Sequence, residues 1–130
     1  MINQLSTYLQ GKLLNNAFRD TAYTPPTTVY CALFTTQPNA GGTGGTEVSG
    51  SGYTRVAVTF GAPSSGVILN SAQITFPTAT GSWGTIVSAC LYDAATSGNL
   101  LALGSLSSAT PISVGQSLTF PDSEFEVQLV

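Results

Sequence analysis

Glu124 and Glu126 are the two residues whose type and spacing come nearest to acid–base chemistry. On a strand, residues two apart share a face, with Cα atoms ~7 Å apart. Glycosidases hold two carboxyl groups roughly 5–9 Å apart, one protonating the leaving oxygen while the other attacks the sugar or activates water. The spacing admits a polysaccharide-cleaving virion enzyme only as a remote alternative. An amphipathic edge strand carries glutamates on its solvent face for solubility alone. A saccharide cleft also needs aromatic walls, and few of the aromatic residues lie outside core-forming runs.

Nucleophilic catalysis has less to draw on. The chain has no histidine, so a serine would have to borrow a base from a carboxylate or from Lys12, the only lysine. Cys31 and Cys90 sit inside the apolar runs VYCALF and IVSACLY and read as small buried hydrophobes. A disulfide between them needs Cα atoms within about 7 Å, which sequence leaves open. With no histidine and no CxxC, a zinc site is not expected. The loop Pro38–Gly52, PNAGGTGGTEVSGSG, fails as a phosphate cradle, because its glycines lead to Glu47 and a strand rather than to a lysine opening a helix. Asp93–Asn99 reads as a turn, with Gly98 supplying positive φ; one carboxylate among neutral oxygens holds Ca²⁺ weakly. No catalytic residue, cofactor or metal is expected, and the protein is expected not to be an enzyme.

These residues must be positioned by a chain of 130 residues, the natural size of one domain, expected to span 1–130. Hydrophobic residues make up 42%, an ordinary core fraction, but charged residues only 7%, against about 25% in most globular proteins. A surface solvated by Ser, Thr, Asn and Gln suits a protein that ends packed against neighbours, since charge is what normally suppresses association. Three basic residues and a net charge of −3 exclude a phosphate-backbone footprint, so nucleic acid is not an expected partner. Nor is a membrane: no apolar run approaches the ~20 residues needed to span one, and MINQLSTYLQGKLL does not read as a signal peptide.

One helix is predicted, over about 2–19. Ile2, Leu5, Leu9 and Leu13 recur at helical spacing with Ala17 continuing the row, and Tyr8, Leu14 and Phe18 widen it. Gly11 weakens its middle by about 1 kcal/mol, and Asp20 to Pro26 end it. Such a helix either covers an open sheet face or docks onto a neighbour. After Pro26 the period becomes that of strands. Thr28–Thr35 is apolar on both faces and reads as a central strand. Tyr53–Phe60, Val67–Asn70, Ala72–Phe76, Thr85–Tyr92, Leu100–Leu106, Ser117–Phe120 and Glu124–Val130 follow. The pattern predicts a mainly β domain, an antiparallel β-sandwich or jelly-roll-like fold with one N-terminal α-helix. The glycine loop is flexible in isolation unless local hydrogen bonds or a partner hold it. Trp83, between Gly81 and Gly84, is either a buried lid with its indole N–H bonded or an interface anchor.

Several strings resemble those of a family of short tailed-bacteriophage proteins. Glu47–Arg55, EVSGSGYTR, is similar to the family's EVSGGGYAR. Val29–Thr36 with Pro38 matches its VYLALFTT-P strand, Ile74–Thr85 its ITFPTATGSWGT, and Asp93–Leu101 with Gly104 and Leu106 its DAATGGNLL-GL. Thr21–Pro25 matches the TAYT-P turn that follows the family's first helix. Between Phe60 and Asn70 the chain is shorter than many relatives. Members are labelled phage tail-fibre or virion structural proteins. The resemblance implies a non-enzymatic structural protein of the virion, made in the host bacterial cytoplasm, with other virion proteins as partners.

With neither heptads nor repeats, a compact domain ~30–40 Å across suits a capsid decoration or cement protein better than a fibre shaft. The expected function is therefore capsid decoration, in contact with the major capsid protein, with a tail-fibre or tail-associated adaptor as the alternative. A cyclic homo-oligomer, a trimer, is the expected state. The candidate interface comprises the helix face with Leu5 and Leu9, the loop residues Gly41, Gly42, Gly44, Gly45 and Glu47, and Trp83.

Overall fold

In the computed structural model, which describes residues 2 and 4–129, the three long apolar runs lie side by side in one antiparallel sheet. The elements in chain order are β1 (Gln4–Leu5), α1 (Thr7–Arg19), β2 (Val29–Thr36), β3 (Thr46–Glu47), β4 (Val56–Val58), β5 (Val67–Leu69), β6 (Ile74–Thr75), β7 (Gly84–Tyr92), β8 (Leu100–Ile112), β9 (Thr119–Phe120) and β10 (Glu126–Gln128). The sheet order is β1-β8-β7-β2-β3, and β4 shares the outer edge of β2 with β3. Two ribbons, β5 with β10 and β6 with β9, complete the mainly antiparallel β fold with its one N-terminal helix.

β2 is paired along both edges and covered on both faces, which is why Cys31, Ala32, Leu33 and Phe34 are all buried. On one face Cys31, Leu33, Ile86, Ala89 and Leu91 pack with Ile74, Phe76, Phe120 and Phe125 from the ribbon side. Phe120 stands edge-on to Phe125 at 5.1 Å and to Phe76 at 6.4 Å, the geometry that aromatic quadrupoles favour. On the other face a smaller cluster gathers Ala32, Phe34, Cys90, Tyr92, Leu100 and Leu103. Cys90 pairs in register with Ala32, and Cys31 with Leu91, so the two sulfurs belong to opposite faces and both thiols are free.

Several element boundaries differ from the sequence reading. The helix begins at Thr7, not near residue 2. Ser6 caps it, its Oγ accepting from Leu9 N at 3.1 Å, and this cap stops the helical row from running further toward the N-terminus. Before the cap the chain is extended: Ile2 bridges Val127 and is fully buried, and Gln4–Leu5 pair with Ala102–Leu103. Asn3, within the predicted helix span, lies outside the described residues. Of Tyr53–Phe60, only Val56–Val58 forms strand β4, whereas β8 runs on past Leu106 to Ile112. Glu124 falls in a turn beside Ser123, whose φ is 64°, so it is not on the strand with Glu126. The regular two-residue carboxylate spacing is lost with it, and Val130, the predicted strand end, lies outside the described residues.

Candidate functional site

Helix α1 stands off the body. None of its residues is buried, and Leu9 is its main contact with the large core. Its N-terminus is fixed by Ser6 N donating to Leu101 O at 2.8 Å and Thr7 N donating to Ala40 O at 2.9 Å. Asp20 ends it in the left-handed region at φ 53°, its backbone N–H returning to Asn15 O. The widened side of the stripe is open, with Tyr8 37% exposed, Leu13 36%, Leu14 58% and Phe18 81%, while Leu5 and Leu9 pack half-buried against the core.

Between the helix and the β5–β10 ribbon runs a groove of about 250 Å³. Leu5, Leu9 and Leu13 form one wall, and Val67, Ile68, Val127 and Leu129 the other. At Gly66, φ +79°, an added Cβ would come within 2.9 Å of Leu129 O, so only glycine lets the ribbon close there. No lining residue is charged.

The sequence-predicted interface residues do not form one site. Leu5 and Leu9 line the groove. Gly41 and Gly42 border a separate polar recess of about 160 Å³ with Ser6, Tyr8, Tyr92 and Asn99. Gly44 and Gly45 are exposed, Gly45 lying against Pro38. Asn39 holds this loop from within: its Oδ1 accepts from Gly41 N at 2.9 Å and Thr43 N at 3.2 Å, and its Nδ2 donates to Thr43 Oγ1 at 2.9 Å. Trp83 is 4% exposed, and its indole N–H donates to Ser51 O at 2.9 Å, the geometry of a lid.

Glu47 sits in an internal clamp. Arg55 Nε and Nη2 donate to its two carboxylate oxygens, each at 2.9 Å, while Nη1 donates to Ala94 O at 2.9 Å and Ser97 O at 2.8 Å. The guanidinium lies 3.9 Å from the Tyr92 ring centroid. Tyr53 donates to Glu47 at 2.7 Å and accepts from Leu33 N at 3.0 Å. Burial alone would pull the Arg55 pKa down, but the hydrogen bonds and charge of Glu47 outweigh it and hold it above its usual value. Burial pushes the Tyr53 hydroxyl well up. The EVSGSGYTR string is thus a device joining β2, β3 and the β7–β8 turn.

Leu14 and Phe18 entered the sequence reading only as a widening of the helical stripe. Their weight comes from their exposure in the fold. Asn70 was missed as well; it is 1% exposed and bonds Phe125 N, Ala72 O and Pro121 O through its amide. A lone asparagine beside a strand carries no signal that would have found it.

Among known proteins, the model of the family described as Podophage GP4 fiber I protein gp80 matches residues 4–128. No curated protein matches the chain.

Proposed function

The chain belongs to the podophage GP4 fiber I protein gp80 family, a family of phage virion structural proteins, and on that premise we propose that it is a tail-fibre or tail-associated adaptor subunit. Its place is the virion. The fibre designation favours this reading over capsid decoration. The observation that carries it is helix α1, with Phe18 81% and Leu14 58% exposed and no residue of the helix buried. Contiguous apolar exposure of this kind marks an interaction site in a folded protein. Attachment is by packing, without catalysis. Three features support that reading: Glu47 is held by Arg55 and Tyr53, Cys31 and Cys90 are buried with raised thiol pKa values, and Glu124 lies in a turn off the strand that carries Glu126.

Copy number tests the reading. Quantitative mass spectrometry of purified particles against the major capsid protein should return tens of copies or fewer per virion. Hundreds of copies would reinstate capsid decoration. Serine at Leu14 and Phe18 should leave the fold intact and remove the protein from particles; normal incorporation would take α1 out of the attachment.

A further inference from the structure

We infer that the polar recess between the start of α1, the loop 39–43 and the β7–β8 turn is a binding site for the carboxylate group of a small acid. The site is separate from the exposed apolar side of α1 and independent of its attachment role.

Three observations carry the inference. The first is an idle hydroxyl. Tyr92 is 9% exposed, with its ring stacked on Phe34 at 6.2 Å, yet its hydroxyl has no hydrogen-bond partner among the described residues. Every fully enclosed side-chain nitrogen or oxygen among those residues does have one. The Tyr92 hydroxyl therefore sits at the small opening that its residue has, and the space that Tyr92 lines is the recess. Burial holds it above its usual pKa, so it stays a donor. A polar group so deeply set that bonds to nothing in its own fold calls for a partner.

The second is the helix start. Ser6 and Tyr8 line the recess, so the N-terminal end of α1 opens on it. Of the first four amides of the helix, Thr7 N donates to Ala40 O, Leu9 N to Ser6 Oγ and Gln10 N to Ser6 O. Tyr8 N has no partner among the described residues. It lies at the end where the helix dipole places about half a positive charge. Asn99 adds a third donor: its Nδ2 donates one hydrogen to Asp93 Oδ2 at 2.9 Å and leaves the other available.

The third is the charge around these donors. No residue lining the recess is charged. Two of the three basic residues stand against its two tyrosine rings, Lys12 Nζ 5.6 Å from the Tyr8 centroid and the Arg55 guanidinium 3.9 Å from that of Tyr92. Glu47 neutralises Arg55, which leaves Lys12 as the net positive charge beside Tyr8. The carboxylate on the adjoining turn, Asp93, has both oxygens taken up by Asn99. Neutral donors and a partial charge suit one negative charge, whereas a dianion needs lysine or arginine in direct contact. The volume of about 160 Å³ is close to the ~150 Å³ that takes benzene, so a carboxylate enters with its first carbons and the rest of the acid points outward.

NMR of the ¹⁵N-labelled full chain at pH 7, titrated with sodium acetate against sodium chloride at matched ionic strength, tests this. Acetate should shift the Tyr8 backbone amide and the Asn99 side-chain amide saturably, with a Kd on the order of 1 mM, and chloride should not. Tyr92→Phe removes an oxygen that bonds to nothing in the fold. It should match the wild type in far-UV circular dichroism and bind acetate at least about tenfold more weakly. Sulfate should bind more weakly than acetate. Glucuronate, whose carboxylate sits on a sugar ring, separates the two sources of the group. Binding equal to that of acetate assigns the acid group of a saccharide to the site, and acetate binding alone assigns a free small acid. Shifts that do not saturate by about 100 mM acetate, shifts spread over the whole surface, equal shifts in chloride, or unchanged affinity in a folded Tyr92→Phe would each overturn the inference. Tighter binding of sulfate would overturn the carboxylate assignment. The wild-type titration decides the question even where the variant fails to fold.

Discussion

Arg55→Met removes the centre of the clamp and should cost about 3 kcal/mol of stability. The Arg55 side chain is 7% exposed and that of Glu47 25%. Breaking a buried pair by deleting one partner costs about 3–5 kcal/mol, because the other charge stays behind, while a surface pair is worth about 0–1. Water reaches the quarter of Glu47 that is open and offsets part of the loss, which places the expected value at the lower end of the buried range. The Ala94 and Ser97 carbonyls lose their shared donor and Tyr92 its cation, so the β7–β8 turn loosens with the pair. For a chain of this size, with an m-value of about 1.5 kcal/mol/M, the urea midpoint falls by about 2 M. Glu47→Leu combined with Arg55→Met should recover part of that loss, since an apolar pair of similar volume leaves no stranded charge. A midpoint shift of Arg55→Met within about 0.3 M would refute the reasoning and make the clamp an ordinary surface pair.

Three further outcomes are expected. Asn70→Ala strands the buried Phe125 N–H and takes a donor from the carbonyls of the exposed residues Ala72 and Pro121, and should cost about 1–3 kcal/mol in urea unfolding; a loss below about 0.5 would contradict it. A thiol reagent at pH 8 should label neither cysteine in the native protein and both in denaturant, because burial pushes Cys31 up and Cys90 up to about 12; rapid native labelling would sink this. Stability should fall with rising pH from about 9: Cys31, Cys90 and Tyr53 all keep protons in the fold that the unfolded chain, with ordinary values of 9.0 and 10.0, releases. The folded state then binds more protons than the unfolded one, and each such group removes up to about 1.4 kcal/mol per pH unit. A flat stability profile from pH 9 to 11 would show that these groups are not buried in solution.

How much of this was legible depended on distance along the chain. The strands β2 and β7 could be read because uninterrupted apolar runs between turn residues have few other uses. The helix start could not, because Ile2 and Leu5 fit a helical period and a buried extended segment equally well. Only the partners, Val127 for Ile2 and Ala102 for Leu5, decide between the two. The same holds for Asn70, whose bonds reach Pro121 and Phe125, 51 and 55 residues away. Glu47, Tyr53 and Arg55 were visible as a family string, but placing Glu47 in an interface missed that its two bonding partners lie eight residues or fewer downstream. The candidate site was half legible. The apolar helix stripe showed in the spacing, while its exposure follows from β1 and the Ser6 cap, which hold the helix away from the sheet.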